Sequence, residues 1–212
     1  NMVSKNKNPE NPEKDGVSRR SFLQGAGAAA AAAGVARIPE TVIAGQNGVA
    51  TPEVLGPEAE SIQLKVNGAD KKASAPPSTT LLDFLRNDVG VTGPKRVCDR
   101  GSCGACTVLL DGQVVDSCSM LAIDAVGKEI TTVEGIGTPD NLSRLQKAFI
   151  EKDALQCGFC TPGMVVSCTA LLEENPKPSR NQIREGLSGN LCRCGTYQNI
   201  IEAVEHVSRK GG

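Results

Sequence analysis

Eight of the nine cysteines in the chain fall into two sets of four. The first set is Cys98, Cys103, Cys106 and Cys118, a C-x4-C-x2-C run whose fourth member follows eleven further residues. The second is Cys157 and Cys160, spaced C-x2-C, then Cys192 and Cys194, spaced C-x-C, with 31 residues between the pairs. Thiolate sulfur suits soft metal centres, and four thiolates complete either a tetrahedral zinc site or an iron–sulfur cluster. A disulfide framework is disfavoured. The count is odd, and a C-x-C pair cannot easily close on itself within normal disulfide geometry.

The spacing of the first set is that of a plant-type 2Fe–2S site. Zinc sites usually pair two C-x2-4-C knuckles instead. The run Cys98-Asp99-Arg100-Gly101-Ser102-Cys103-Gly104-Ala105-Cys106 must wrap its backbone tightly round one centre. Gly101 and Gly104 permit the left-handed or crowded conformations that this requires. Such a loop turns successive N–H groups toward sulfur, which raises a cluster's potential. Spacing alone leaves the second set open to either zinc or a cluster.

The elements that position these thiols can be read from periodicity. Ile62, Leu64 and Val66 alternate with polar residues before Asn67-Gly68, the pattern of a strand and a tight turn. Thr80 to Arg86 reads as a short helix with Leu81, Leu82 and Leu85 on one face. Thr107 to Leu110 and Gln113 to Val115 form a hairpin about Asp111-Gly112, and Ile130 to Val133 reads as a last strand. Gly135 to Pro139 is a seam. Beyond it the pattern turns helical. Asp140 is placed to cap a helix from Asn141 to Lys152 that buries Leu142, Leu145, Ala148 and Phe149. Cys160 to Glu174 has Pro162 in its first turn. Ser179 caps Arg180 to Leu187, and Tyr197 to Arg209 carries Ile200, Ile201, Val204 and Val207 on one side. The expected class is α+β, with one domain over residues 61–135 and a helical one over 136–212. The second cysteine set falls at helix ends, whose free N–H groups favour an anionic centre.

Two stretches add a resemblance. Gln156-Cys157-Gly158-Phe159-Cys160-Thr161-Pro162-Gly163-Met164 and Ser188-Gly189-Asn190-Leu191-Cys192-Arg193-Cys194-Gly195-Thr196-Tyr197 resemble the second-cluster motif of the molybdenum hydroxylases, the xanthine dehydrogenase and aldehyde oxidoreductase family. Gly101-Ser102-Cys103-Gly104-Ala105-Cys106-Thr107-Val108 resembles the same family's ferredoxin motif. Val97 stands where the family commonly has Gly. The resemblance runs from about Ile62 to Val207 and is closest in type to the small subunits of periplasmic aldehyde oxidoreductases. It implies a β-grasp ferredoxin-like domain followed by a four-helix-bundle domain, each binding one 2Fe–2S cluster through its four cysteines. It further implies a molybdenum-pterin cofactor on a large partner subunit. Electrons would leave through FAD on another subunit, or through a cytochrome. Gln156 and Cys194 match family positions that contact the pterin, which puts the second set nearest molybdenum. An aldehyde or an N-heterocycle is the implied substrate, and its site would lie on another chain.

The N-terminal region indicates destination. Ser18-Arg19-Arg20-Ser21-Phe22-Leu23-Gln24 matches the twin-arginine export pattern. The small, mildly apolar run Gly25 to Ala36 is too short to span a membrane, which takes about 20 apolar residues, but suits a signal peptide over residues 1–44. Ala36 and Ala44 are both candidate cleavage points. Residues 45–60, rich in Gly and Pro, read as a linker. Export to the periplasm is compatible with thiolate ligands because this route carries proteins already folded. Net charge is −1, pI about 6.0, aromatics 2 % and Trp absent, so neither a basic footprint nor a stacking platform for nucleic acid is present. His206, the single histidine, forms no constellation and reads as a solvated helix position. Cys168 reads as a buried small hydrophobe. Arg180, Arg184 and Arg193 read as surface charge. No nucleophile–base set or pair of catalytic carboxylates can be assembled. Two other readings remain: a stand-alone two-cluster carrier, and a zinc-stabilised interaction module.

Overall fold

The computed structural model describes residues 55–210. The expected export segment and residues 45–54 of the linker lie outside the described residues. The first half is a five-stranded mixed sheet of β1 (Glu60–Val66), β2 (Ala69–Ala75), β3 (Thr107–Leu110), β4 (Gln113–Asp116) and β5 (Glu129–Thr131). Its strand order is β2-β1-β5-β3-β4. The β1–β5 pair is parallel, and the other pairs are antiparallel. Both hairpins turn on two left-handed residues, Asn67-Gly68 and Asp111-Gly112. This turn matches the twist of the flanking strands, and Asn, Asp and Gly tolerate its positive φ.

The alternation in β1 buries Ile62, Leu64 and Val66. They pack with Leu81, Phe84, Leu85, Val108 and Ile130 in one core. The covering segment is α1 (Leu81–Asp83), which continues as a π-helical turn over Phe84–Asp88. The Thr80 hydroxyl caps α1 by accepting from Asp83 N at 3.1 Å.

The last strand is shorter than expected. It ends at Thr131, and Val133–Ile136 forms the one-turn helix α2. The Thr132 N–H donates to Asn67 Oδ1 at 2.8 Å, its hydroxyl donates to Glu134 Oε2 at 2.6 Å, and its carbonyl accepts from Gly135 N at 2.9 Å. These bonds remove Thr132 from the ladder and turn the chain.

The next helix also starts later than the sequence suggested. α3 is Arg144–Glu151, capped by Ser143 rather than Asp140. Ser143 and Gln146 form a reciprocal capping box, which satisfies two N–H groups where a lone Asp would satisfy one. Asp140 falls in the turn closed by Asn141 N to Thr138 O at 3.0 Å. α4 (Thr161–Glu174), α5 (Arg180–Gly186, capped by the same Ser–Gln box) and α6 (Tyr197–Lys210) complete the described chain.

Residues of α3 to α6 share a second core that includes Leu145, Phe149, Met164, Ile183, Ile200 and Val204, with Val133 and Ile136 of α2 packed against it. The chain is therefore α+β. It has six α-helices among the described residues: α1 lies in the sheet core, the one-turn α2 follows β5, and residues of α3 to α6 share the second core. α4 packs against β3, which brings the two cysteine loops onto neighbouring ground.

Candidate metal centres

The first cysteine loop hangs between the π-helical turn and β3. Asp99, Gly101 and Gly104 take left-handed φ of 56°, 64° and 67°, so the backbone reverses repeatedly within nine residues. At Gly101 a Cβ would also stand 2.7 Å from Ser119 Oγ. The reversals aim amides at sulfur: Gly101 N donates to Cys118 Sγ at 3.2 Å and Ser102 N to Cys98 Sγ at 3.4 Å. Arg96 anchors the loop through Asp83 and Asp99. Cys106 and Cys118 are buried, whereas Cys98 and Cys103 are half-exposed.

Within this set Cys98 and Cys103 influence each other's titration, as do Cys106 and Cys118. The Ser102 amide, chiefly, draws the Cys98 thiol down to about 7. Burial pushes Cys106 up to about 12 and raises Cys103. A thiol pushed up in this way loses its proton when a strong Lewis acid binds the sulfur or a strong base takes it.

In the second set, Cys160 stands at the N-cap of α4. Cys192 and Cys194 lie in the turn between α5 and α6. Cys157 and Cys194 are both exposed, whereas Cys160 and Cys192 lie deeper in the fold; Cys157 feels Cys194 and Cys192, and Cys160 feels Cys192 and Cys157. The Cys192 Sγ lies 3.1 Å from Thr196 Oγ1, and its amide donates to the Tyr197 hydroxyl at 2.7 Å. Burial works against the Cys192 thiolate. The Thr196 hydroxyl and amide and the Cys160 thiol outweigh it, and the thiol falls to about 7. Burial pushes Cys160 up to about 12.

Among the described residues, no three Cys, His, Asp or Glu groups converge as for a single ion. Amides directed at sulfur, left-handed glycines and all-thiol donors fit a 2Fe–2S cluster in each loop. Gln156 is exposed beside Cys157. Val97, Phe159 and Leu191 are exposed too, and with Cys103, Cys157 and Tyr197 they line a groove of about 480 Å³. Val97 therefore needs no room in the loop interior.

Other candidates fall away from this ground. Cys168 is wholly buried in the helical core, where burial alone pushes its thiol up to about 12. His206 Nε2 lies 3.2 Å from Glu151 Oε2, a link between α6 and α3. Arg180 is engaged by Glu205 at 3.0 Å and Gln198 at 2.6 Å. Sequence reasoning missed Asn190 and Ser167, whose side chains bond to each other at 2.8 Å. Asn190 lay within the quoted motif, but a buried amide has no periodicity to betray it.

Comparison with known proteins matches residues 64–131 to the family described as "2Fe-2S iron-sulfur cluster binding domain" and residues 132–205 to "[2Fe-2S] binding domain". Residues 16–36 match the "TAT (twin-arginine translocation) pathway signal sequence", which directs export to the periplasm. No helix among the described residues is long and apolar enough to cross a membrane. The chain is 41% identical over 209 residues to the aldehyde oxidoreductase iron-sulfur-binding subunit PaoA of Escherichia coli, covering 92% of this chain and 89% of that protein. It is 44% identical over 146 residues to the nicotinate dehydrogenase small FeS subunit of Eubacterium barkeri, covering 69% and 93%. Among solved structures it is similar to quinoline 2-oxidoreductase from Pseudomonas putida, with TM-score 0.68, 44% identity, and coverage of 73% of this chain and 98% of that one. It is similar as well to the aldehyde oxidoreductase from Desulfovibrio desulfuricans, with TM-score 0.69, 44% identity, and coverage of 71% of this chain and 17% of that one.

Proposed function

The chain belongs to the iron–sulfur subunits of the molybdenum hydroxylases, and on that premise we propose that it carries electrons, one at a time, from a molybdenum-pterin centre on a large partner subunit toward FAD or a cytochrome. Cys98, Cys103, Cys106 and Cys118 are the ligands of one cluster, and Cys157, Cys160, Cys192 and Cys194 those of the other. Residues 61–135 form a β-grasp ferredoxin-like domain, a reading that the β2-β1-β5-β3-β4 order supports. Residues 136–212 form the helical domain, in which α3 to α6 make up the four-helix bundle. When bound, a 2Fe–2S cluster accepts and returns a single electron.

The protein's own share is to hold and tune. The eight sulfurs fix each site. Gly101 N, Ser102 N and the Thr196 hydroxyl direct positive dipole ends at sulfur, which favours the reduced, more negative state. Burial of Cys106, Cys118 and Cys192 keeps water from these donors.

The observation that carries the direction of flow is exposure. Cys157, Cys194 and Gln156 are all exposed, where a partner's pterin can approach, and with the motif match of Gln156 and Cys194 this supports the second set as the entry. An aldehyde is the first substrate class, supported by the relative that matches along 92% of the chain. An N-heterocycle is the second, supported by the nicotinate and quinoline enzymes.

Purifying the native assembly tests this reading. A molybdenum-bearing polypeptide and a flavin or haem acceptor should accompany the chain, whereas a chain that migrates alone would support a free carrier. Within the assembly, Cys103→Ser should slow delivery to the acceptor and leave molybdenum reduction by substrate largely intact. Cys194→Ser should impair electron exit from molybdenum itself. The reverse pattern would overturn the direction.

A further inference from the structure

Between the two cysteine sets lies a hydrogen-bonded junction that neither set needs for its own ligands. Leu191 N donates to Cys103 O at 2.9 Å. Cys103 belongs to the first set, and Leu191 adjoins Cys192 of the second. The path from Cys103 Sγ through bonds to its carbonyl oxygen, across this one hydrogen bond, then from Leu191 N to Cys192 Sγ, is continuous.

The junction is built around Asn190, which is 5 % exposed. Its Nδ2 donates to Gly104 O at 3.0 Å and to Thr107 Oγ1 at 3.3 Å, and its Oδ1 accepts from Ser167 Oγ at 2.8 Å. Three segments meet there with no room to spare. A Cβ on Gly104 would stand 2.4 Å from Asn190 Nδ2, and a Cβ on Gly163 would stand 2.1 Å from Gly104 O. A buried amide is costly unless bonded, and this one is bonded on both sides. Its hydrogen bonds join the Gly104 loop, the first half of α4 and the 189–191 turn.

We propose that Asn190 is a positioning residue for electron exchange between the two sites. It clamps the Gly104 carbonyl to α4 and so holds the Leu191–Cys103 hydrogen bond closed. The proposal rests on the ligand assignment above and adds the link between the sites. Each exchange moves one electron and no proton: one site's bound cluster is oxidised by one electron as the other's is reduced by one. A closed hydrogen bond couples the two sides better than an open gap. The rate should therefore depend on a side chain that touches no ligand sulfur.

The test uses the assembled complex with two variants. Asn190→Asp keeps the shape and the Ser167 contact but loses the donor to Gly104 O. Ser167→Ala leaves the donor and frees its orientation. Metal content and the two reduced-state paramagnetic signals are measured first. Amide exchange by mass spectrometry then reads the junction directly. The peptide containing Leu191 should exchange about tenfold faster in Asn190→Asp, as expected for local opening after loss of one or two hydrogen bonds, and by less in Ser167→Ala. Peptides of α6 should be unchanged. Freeze-quench spectroscopy should show slower equilibration between the two signals, at unchanged midpoint potentials in the uncharged Ser167→Ala and corrected for the measured potentials in Asn190→Asp, whose added carboxylate lowers them.

If Asn190→Asp misassembles, Ser167→Ala carries the test alone, with the same readouts. Unchanged Leu191 exchange or unchanged equilibration in an assembled variant overturns the proposal while the ligand assignment stands. Absence of two clusters in the parent overturns both.

Discussion

Gly163 offers a severe test of how closely the two cysteine loops are packed. It lies in the first turn of α4, and a Cβ there would stand 2.1 Å from Gly104 O, 3.2 Å from Gly104 C and 3.4 Å from Ala105 Cα. All three are backbone atoms of the loop between Cys103 and Cys106, so no side-chain rotation relieves the clash. Nor can the loop slide freely, because Gly104 O accepts from Asn190 Nδ2 at 3.0 Å and from Thr107 Oγ1 at 2.6 Å. For Gly163→Ala, overpacking costs about 1–3 kcal/mol. Loss of two hydrogen bonds adds about 2 kcal/mol. The better helix propensity of Ala returns about 1 kcal/mol. We therefore predict a net destabilisation of about 2–4 kcal/mol. At about 2–4 °C per kcal/mol for a unit of this size, the melting temperature should fall by roughly 10 °C. Assembled protein would be heated at one scan rate while far-ultraviolet circular dichroism follows the helices. Gly189→Ala is the control, since nothing lies within 4 Å of its Cβ position, and it should melt with the parent. A Gly163→Ala protein that also melted with the parent would refute the packing argument.

Four further outcomes are expected. Replacing Arg19 and Arg20 together by Lys keeps the charge but should retain the protein in the cytoplasm, as cell fractionation would show; undiminished periplasmic protein would remove the export assignment. Thr196→Val deletes the hydroxyl 3.1 Å from Cys192 Sγ. At about 1 kcal/mol for the bond, this should lower the second cluster's midpoint potential by roughly 40 mV, and an unmoved potential would show that the hydroxyl does not act on the sulfur. In cluster-free protein near neutral pH, Cys98, drawn down to about 7, should be alkylated before Cys106, pushed up to about 12, because the thiolate is the reactive form; peptide mapping with the order reversed would contradict this. Cys168→Ala should leave iron content unchanged, and loss of iron would make Cys168 a ligand.

The sheet was legible where side-chain chemistry is local. Asn67-Gly68 and Asp111-Gly112 announce hairpins because few residues tolerate consecutive positive φ, and the alternation of Ile62, Leu64 and Val66 gives the buried face of β1. Helix starts were less legible. Asp140 and Ser143 are both good caps, and the choice is made by Gln146, whose side chain bonds back to Ser143 N at 2.8 Å. The end of β5 was hidden for a longer-range reason. Thr132 leaves the ladder through Asn67, 65 positions away in sequence, and no window of local pattern includes that partner. The cysteines were legible as two sets because ligand spacing is a covalent constraint. Their burial, with Cys106, Cys118 and Cys192 inside and Cys157 and Cys194 exposed, was not, since it depends on how the loops fold back. Asn190 was invisible for the same reason: its importance lies in Gly104, Thr107 and Ser167, brought together only by the packing of α4 on β3.

The central claim is that eight cysteines in this chain hold two 2Fe–2S clusters, and the most direct measurement is iron, sulfide and zinc analysis of the protein matured in its native host, combined with paramagnetic resonance after reduction. Iron and acid-labile sulfide should be present in equal amounts, enough for two clusters per chain, with two distinguishable 2Fe–2S signals, of which Cys103→Ser perturbs one and Cys194→Ser the other. Zinc without iron, or a single signal affected equally by both replacements, would contradict it.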